Sequence, residues 1–228
     1  MNLYKILLAK VKRYTHHSSD LVDKFHERFY YSKPWAETSW MGTRILKNPA
    51  DMWIYQEIIF ETKPDVIIET GTFNGGSALF FASLFDILGK GEVITIDVQK
   101  MENMPEHKRI TYLLGSSYSP EIVAKVESLI KDKKRIMVIL DSDHSRECVF
   151  NELNIYSKNV TPGCYLVVED TNLNGHPVYA GHGVGPGPME ALDDYLKDHT
   201  DFEIDRTREK FLITFNPKGF LRRKSKPQ

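Results

Sequence analysis

The chain has 228 residues, 41% of them hydrophobic, and its 30 basic and 31 acidic side chains leave a formal net charge of -1. That length closes one full α/β core, and the near-balance of charge excludes a global field that would draw nucleic acid or a membrane surface. Cys148 and Cys164 lack metal spacing and make no disulfide framework, and no run approaches the ~18 apolar residues of a membrane span, so a reducing, cytoplasmic setting without stable membrane insertion is expected.

In chain order, "MNLYKILLAKVKRY" reads as an amphipathic helix with Leu3, Ile6, Leu7 and Val11 on one face, packing on the domain or on another subunit. Lys5, Lys10 and Lys12 interrupt the apolar stretch and spoil a signal-peptide core. A Trp- and Pro-rich loop, "KPWAETSWMGTRILKNPADMW", leads into a helix through "ADMWIYQEIIFET". Residues 1–60 are thus expected to be a helical extension, and this N-terminus with the Trp35 and Trp40 region favours a homo-oligomer. From Pro64 the texture changes to short apolar runs alternating with helical segments. "DVIIET", "EVITIDV", "RITYLLG", "RIMVILD" and "CYLVVED" read as strands, with helices over "GGSALFFASLFDILG", "PEIVAKVESLIKD", "RECVFNELNIYSKNV" and "GPMEALDDYLKDH". Strands without period-2 polarity, separated by helices, imply a parallel sheet covered on both faces, a doubly wound Rossmann-like α/β fold. "FEIDRT" and "FLITFNP" are expected to close it as an antiparallel edge hairpin, followed by a basic tail at 224–228.

Chemistry concentrates at the strand ends. "IIETGTFNGGSALFFA" places Glu69, Gly71, Thr72, Gly75 and Ser77 at a strand-to-helix turn, where glycines let a ligand approach backbone N–H groups. The spacing is not G-x-G-x-x-G; acidic-x-Gly-x-x-x-Gly is the more open turn associated with S-adenosylmethionine. Asp97, ending the next strand 26 residues after Gly71, is placed to accept from a ribose diol, and Gly115 and Ser116 fall at the adenine edge.

"VILDSDHS" carries Asp141, Asp143 and His144, and 28 residues after Asp141 "LVVEDTN" brings Glu169 and Asp170 to the same edge. Neighbouring strands lie about 5 Å apart, so four carboxylates there repel unless a cation is bound. Oxygen donors favour Mg²⁺ at Asp141, Asp143, Glu169 and Asp170; the plainer alternative is that the acids cap helices and bind Lys or Arg. His144, with an unperturbed pKa near 6.5, suits a general base beside such an ion. The segment 174–188, "NGHPVYAGHGVGPGP", reads as a loop above this edge, a lid bringing His176, Tyr179 and His182 to substrate or else a plain connection.

"NPADMWIYQEIIFETKPDVIIETGTFNGGSALFFA", "VILDSDHSRECVFNEL", "PGCYLVVEDTN" and "PGPMEALDDYL…FEIDRTREKFLITFNPKGFLRR" together resemble the cephalosporin hydroxylase family, which includes rhamnosyl O-methyltransferases; the likeness covers roughly residues 40 to 223. The resemblance implies a class I S-adenosylmethionine-dependent methyltransferase domain over 61–223, with a seven-stranded sheet and a magnesium site. It implies that Glu69, Gly71, Gly75, Asp97 and Ser116 line the cofactor pocket and that Glu169 and Asp170 bind Mg²⁺, with either Asp141 or Asp143 as third ligand. The Asp-x-x-His spacing, shared with macrolide-sugar methyltransferases, implies that His144 is the base. The expected activity is O-methylation of a small molecule with neighbouring oxygens, a sugar or glycosylated natural product. The alternatives are a hydroxylase-type tailoring enzyme, which would need a second histidine on iron, a dinucleotide-dependent oxidoreductase, which the glycine spacing disfavours, and a non-catalytic cofactor-binding partner.

Overall fold

The computed structural model describes residues 19–179 and 185–225. The amphipathic segment around Leu3 to Val11 and His182 lie outside the described residues. Helix α1 (Ser19–Ser32) leads through a 3-10 turn (Pro34–Glu37) to a short hairpin, β1 (Ser39–Trp40) and β2 (Thr43–Arg44), and then to α2 (Pro49–Thr62). From there strands and helices alternate: β3 (Val66–Thr70), α3 (Gly76–Leu88), β4 (Glu92–Asp97), β5 (Ile110–Leu114), α4 (Pro120–Ile130) and β6 (Ile136–Leu140). They continue with α5 (Arg146–Tyr156), β7 (Tyr165–Val168), α6 (Pro188–Asp198), β8 (Phe202–Ile204) and β9 (Phe220–Arg223).

The main sheet has seven strands in the order β5-β4-β3-β6-β7-β9-β8. The first five are parallel, as the unbroken apolar runs imply, and β9 pairs antiparallel with both β7 and β8. The pleat divides the core cleanly. Val66, Ile68, Ile94, Val138, Leu140, Leu166 and Val168 pack with α4, α5 and α6 on one face, while Ile67, Val93, Met137, Ile139 and Val167 pack with α2 and α3 on the other. Residue 60, the expected edge of the N-terminal extension, falls inside α2, whose Ile54, Tyr55, Ile58 and Ile59 belong to that second core. No helix among the described residues is long and apolar enough to cross a membrane.

The terminal hairpin differs in detail from the expectation. The partner of β8 is Phe220–Arg223, inserted between β7 and β8, and "FLITFNP" is not a strand. Its backbone groups are spoken for elsewhere: Phe215 N–H donates to Asp51 Oδ2 (2.8 Å), Asn216 N–H to Thr214 Oγ1 (3.0 Å), and Asn172 N–H to the Phe215 carbonyl (3.1 Å). Side-chain bonding of this kind takes the backbone out of a ladder, and Pro217 offers no donor to restore it.

Helix α1 closes over this loop. The His26 ring stacks on Phe215 at 5.8 Å and its Nε2 lies 3.0 Å from Asn172 Nδ2, while Tyr30 and Trp35 meet Phe215 edge-on. His26 is 5% exposed, and burial pushes its pKa down to about 4. The neutral ring is thus the one that accepts from Asn172. An unfolded histidine takes up its proton near 6.5, so as pH falls from 6.5 to 4 the unfolded state binds the extra proton and the fold loses stability, with no further loss below. We predict that this slope, at most ~3 kcal/mol, is shallower in His26→Gln when thermal midpoints of the two proteins are compared between pH 7 and 4.

Candidate active site at the carboxyl edge

The in-register ladder puts Thr70, Leu140 and Val168 in one row across β3, β6 and β7. One residue further, Asp141 N–H bonds to the Thr70 carbonyl (3.0 Å) and Glu169 N–H to the Leu140 carbonyl (3.0 Å), so the two acids stand side by side at adjacent strand tips. With a period of two they lie on the same side as Glu69, the side covered by α2 and α3. There they meet Lys47 from the β2–α2 connection. Its Nζ is 2.5 Å from Asp141 Oδ2 and 2.6 Å from Glu169 Oε1, and Tyr55 OH donates to Glu169 Oε1 (2.7 Å). Lys47 and Glu169 side chains are only 5% and 3% exposed. Burial alone would lower the Lys47 pKa, but Asp141, Glu169 and Glu69 together raise it, so it is an ammonium. Burial pushes Asp141 and Glu169 upward against the pull of that ammonium.

Asp170 departs from the strand in a left-handed conformation (φ 55°), its N–H held by Asn216 Oδ1 (3.1 Å). Such backbone is uncommon outside glycine and tends to mark functional positions. The turn brings Asp170 Oδ2 to 3.3 Å from His144 Nε2. Asp141, His144 and Asp170 each offer a donor atom within 4.8 Å of the others, a grouping that fits a metal ion. Of the four acids expected at the ion, Asp141 and Asp170 converge with His144, Glu169 meets Lys47 and Tyr55, and Asp143 accepts from Ser145 N–H (2.7 Å) at the entry to α5. A lysine answers two of the acids, Asp141 and Glu169. His176 lies against Glu190 (2.7 Å), leaving His144 as the one histidine in the cluster among the described residues.

The nucleoside candidates sit along the neighbouring tips. Asp97 accepts from Phe73 N–H (2.8 Å) and Gln99 N–H (3.0 Å), and with Thr72, Met101, Pro105 and Tyr112 it lines a cavity of about 920 Å³. Gly71 (φ +88°) has no room for a side chain: a Cβ there would lie 1.8 Å from the Asp141 carbonyl oxygen. Gly75, also left-handed, opens α3 against Pro105 and Tyr112. Ser77 is buried in the first turn of α3, Gly115 N–H bonds the Asp97 carbonyl (2.8 Å), and Ser116 takes Ser119 N–H on its carbonyl (3.0 Å). Glu69 is fully buried; Oε2 accepts from Thr95 Oγ1 (2.6 Å) while Oε1 has no hydrogen-bond partner. Burial pushes its pKa up to about 7, against the pull of Lys47. A buried, orphaned carboxylate oxygen at the head of a glycine turn fits the ammonium group of an amino-acid-bearing nucleoside.

Sequence reasoning missed Lys47, Tyr55 and a second node on the opposite face. There Glu152 of α5 accepts from Thr70 Oγ1 (3.0 Å), Ser117 Oγ (2.5 Å) and Ser142 Oγ (2.7 Å), tying together the end of β3 and the loops after β5 and β6. Burial raises its pKa while those hydroxyls hold it down.

The comparisons with known proteins fall in line with this architecture. A parallel sheet with an inserted antiparallel strand and glycine-turn crevice is the class I methyltransferase fold. Among solved structures, apo CmcI aligns with TM-score 0.64 at 23% identity over 84% of this chain and 78% of that one. A structure of CmcI with Mg and SAM aligns at 0.59 (23% identity, covering 83% and 78%). A structure described as a putative caffeoyl-CoA O-methyltransferase from Staphylococcus aureus aligns at 0.54 (16%, covering 89% and 92%). Residues 32–224 match the family model described as rhamnosyl O-methyltransferase/CmcI, and the chain belongs to that family. It is an S-adenosylmethionine-dependent O-methyltransferase by class. Rhamnosyl O-methyltransferase of Mycobacterium leprae (strain TN) is 39% identical over 213 residues, 91% of this chain and 92% of that protein; the Mycobacterium tuberculosis (strain ATCC 25618 / H37Rv) protein of the same name is 36% identical over 229 residues, 97% and 93%.

Replacing Glu152 by Gln would take one carboxylate oxygen from a cluster of three hydroxyls, Thr70 and Ser117 buried and Ser142 half-buried. The expected cost is roughly 1–3 kcal/mol, read as a lower urea midpoint at unchanged m-value.

Proposed function

We propose that the protein is a Mg²⁺-dependent O-methyltransferase that transfers the methyl group of S-adenosylmethionine to a hydroxyl of a rhamnosyl or related sugar acceptor. The observation that carries this reading is the convergence of Asp141, His144 and Asp170 beside the glycine-turn crevice. The names of the two mycobacterial relatives support the sugar, and the CmcI structure with Mg and SAM supports the ion.

The roles divide by chemistry. Asp97 accepts from the cofactor ribose and Glu69 from its ammonium, with Gly71, Thr72, Gly75, Ser77, Gly115 and Ser116 shaping the wall around it. Asp141 and Asp170 hold the divalent ion, a hard cation suited to carboxylate oxygens. When bound, that ion supplies positive charge that acidifies an acceptor hydroxyl. His144 is the base: its Nε2, 3.3 Å from Asp170 Oδ2, is oriented by that carboxylate, which also steadies the imidazolium once the hydroxyl proton is taken. The acceptor oxygen forms its bond to the methyl carbon as the sulfur–methyl bond breaks, so the sulfonium charge is neutralised and S-adenosylhomocysteine remains. Holding oxygen and methyl in line is the larger contribution. An acceptor with neighbouring oxygens suits a site of this kind. The same reading takes the enzyme as a homo-oligomer, supported by Trp53 and Phe60, exposed on α2.

Transfer of labelled methyl from S-adenosylmethionine to a rhamnosyl glycoside tests the reading. We expect His144→Ala to lower transfer by a factor of about 10² or more while calorimetric affinity for S-adenosylhomocysteine stays within about threefold. EDTA should abolish transfer and Mg²⁺ restore it. Transfer that persists in EDTA, or that survives His144→Ala nearly intact, would count against it.

A further inference from the structure

Helix α1 ends at Ser32, where the span matched by the family model begins, yet it is fastened to the active edge through the loop around Phe215. The Phe215 carbonyl accepts from Asn172 N–H (3.1 Å) and Asn216 Oδ1 from Asp170 N–H (3.1 Å), so this loop holds the turn that aims Asp170. The Phe215 ring is also what α1 rests on: Tyr30 meets it at 5.3 Å and Trp35 at 5.7 Å, and Tyr30 packs against Trp35 at 5.2 Å. The Tyr30 phenol comes within electrostatic reach of Asp170, for burial together with that carboxylate pushes its pKa up to about 12. The last turn of α1 therefore stands beside the catalytic edge.

Tyr31 lies at right angles to Tyr30, ring centroids 5.9 Å apart, and is 50% exposed. Its hydroxyl accepts from Tyr179 N–H (3.1 Å), on the loop that leaves Asp170. That loop is pinned along its way: Val178 N–H bonds the Asn172 carbonyl (3.0 Å), and Gly175 N–H bonds the Val178 carbonyl (2.9 Å). Its Asn174 and the backbone of His144 meet at Gly187, where a Cβ would lie 2.3 Å from Asn174 Nδ2 and 3.3 Å from the His144 carbonyl oxygen. Tyr179 is 78% exposed, its ring 3.4 Å from where a Cβ on Gly175 would be. One short segment thus runs from Asp170, past His144, to a pair of exposed aromatic rings.

We propose that Tyr31 and Tyr179 form an aromatic wall of the acceptor subsite, holding the sugar ring whose hydroxyl is delivered to His144, and that Tyr30 backs this wall. The inference rests on the sugar acceptor proposed above. A pyranose is amphipathic: its hydroxyls point outward and its C–H bonds make apolar faces, so a ring laid on tyrosine leaves water on one side while its oxygens stay free to bond. Small-molecule sites combine aromatic faces, which supply contact area, with a few polar groups, which fix orientation. Tyrosine suits the first task because it loses little conformational freedom for the area it offers. Orientation is what the reaction needs, since the acceptor oxygen must be held in line with the methyl group. The wall is remote from Glu69 and Asp97 in the chain, so acceptor binding is separable from cofactor binding.

The experiment measures transfer of labelled methyl from S-adenosylmethionine to para-nitrophenyl rhamnoside in MgCl₂ for wild type, Tyr31→Ala, Tyr179→Ala and Tyr179→Phe, with calorimetric titration of each by S-adenosylhomocysteine. Both alanine variants are expected to raise KM for the rhamnoside at least fivefold, with a smaller change in kcat and with S-adenosylhomocysteine affinity within about threefold of wild type. Tyr179→Phe keeps the ring and the backbone bond to Tyr31, and its KM is expected within about twofold of wild type. Tyr31 and Tyr179 are exposed, so the variants are expected to fold; should Tyr31→Ala not, the two Tyr179 variants carry the test. A rise in KM below fivefold overturns the proposal and leaves the sugar reading standing, as does a rise that Tyr179→Phe shares. A loss confined to kcat, or matched by a loss of S-adenosylhomocysteine affinity, assigns the tyrosines to the fold alone and overturns it too. A wild type that transfers no methyl to the rhamnoside withdraws the sugar acceptor, and the wall with it.

Discussion

The ammonium of Lys47, wedged between Asp141 and Glu169, is the contact on which the active edge depends. A parallel sheet buried on both faces must end its strands somewhere, and here three neighbouring tips end in acids on the same side of the pleat: Glu69, Asp141 and Glu169. Carboxylates brought together away from water resist ionisation, and all three have pKa values raised by burial. One lysine cannot neutralise them all, and the residual negative charge is what makes the edge receptive to cations. The sulfonium and ammonium of the cofactor and a divalent ion are such cations.

The opposite side of the same tips is organised without charge balance. Glu152 gathers the hydroxyls of Thr70 and Ser142, each one residue out of phase with Glu69 and Asp141, together with Ser117 from the loop after β5, so the edge has an ionic face and a hydrogen-bonded face. The first positions the chemistry; the second holds the loops that carry it. Helix α1 adds a third constraint, because His26 and Tyr31 fasten the segment that leaves Asp170: His26 through Asn172, and Tyr31 OH by accepting from Tyr179 N–H (3.1 Å). The described part of the Gly- and Pro-rich loop is therefore tied down at Tyr179 and, through Arg146 N–H on the Pro186 carbonyl (3.2 Å), at its far end.

Much of this architecture is legible in the sequence because it is local. Continuous apolar runs such as "RIMVIL" and "VIIET" mark buried parallel strands, glycines mark the turn at Gly71 and Gly75, and acids directly after such runs must fall at strand tips. The location of Asp141, Glu169 and Asp170 on one edge follows from that. What each acid faces does not. Asp141 and Asp143 differ by two positions in a loop, and only the left-handed turn at Asp170 decides that Asp141 and His144 are the residues it meets. Lys47 carries no local signature: it is a lysine before a capped helix, and its partners are distant in sequence. Glu152 likewise reads as an ordinary helix glutamate until three loops close on it. The final strand was misplaced for a related reason, since "FLITFNP" has strand composition but spends its backbone groups on Asp51, Thr214 and Asn172.

The central claim is a division of labour in which carboxylates hold the ion and His144 handles the proton. Pulsed electron paramagnetic resonance of Mn²⁺ bound to the protein with S-adenosylhomocysteine tests it most directly, because a coordinated imidazole imprints a nitrogen hyperfine coupling on the metal. The account predicts oxygen donors only, with a spectrum unchanged in His144→Ala. A directly coordinated nitrogen that disappears in that variant would make His144 a ligand and contradict its assignment as base.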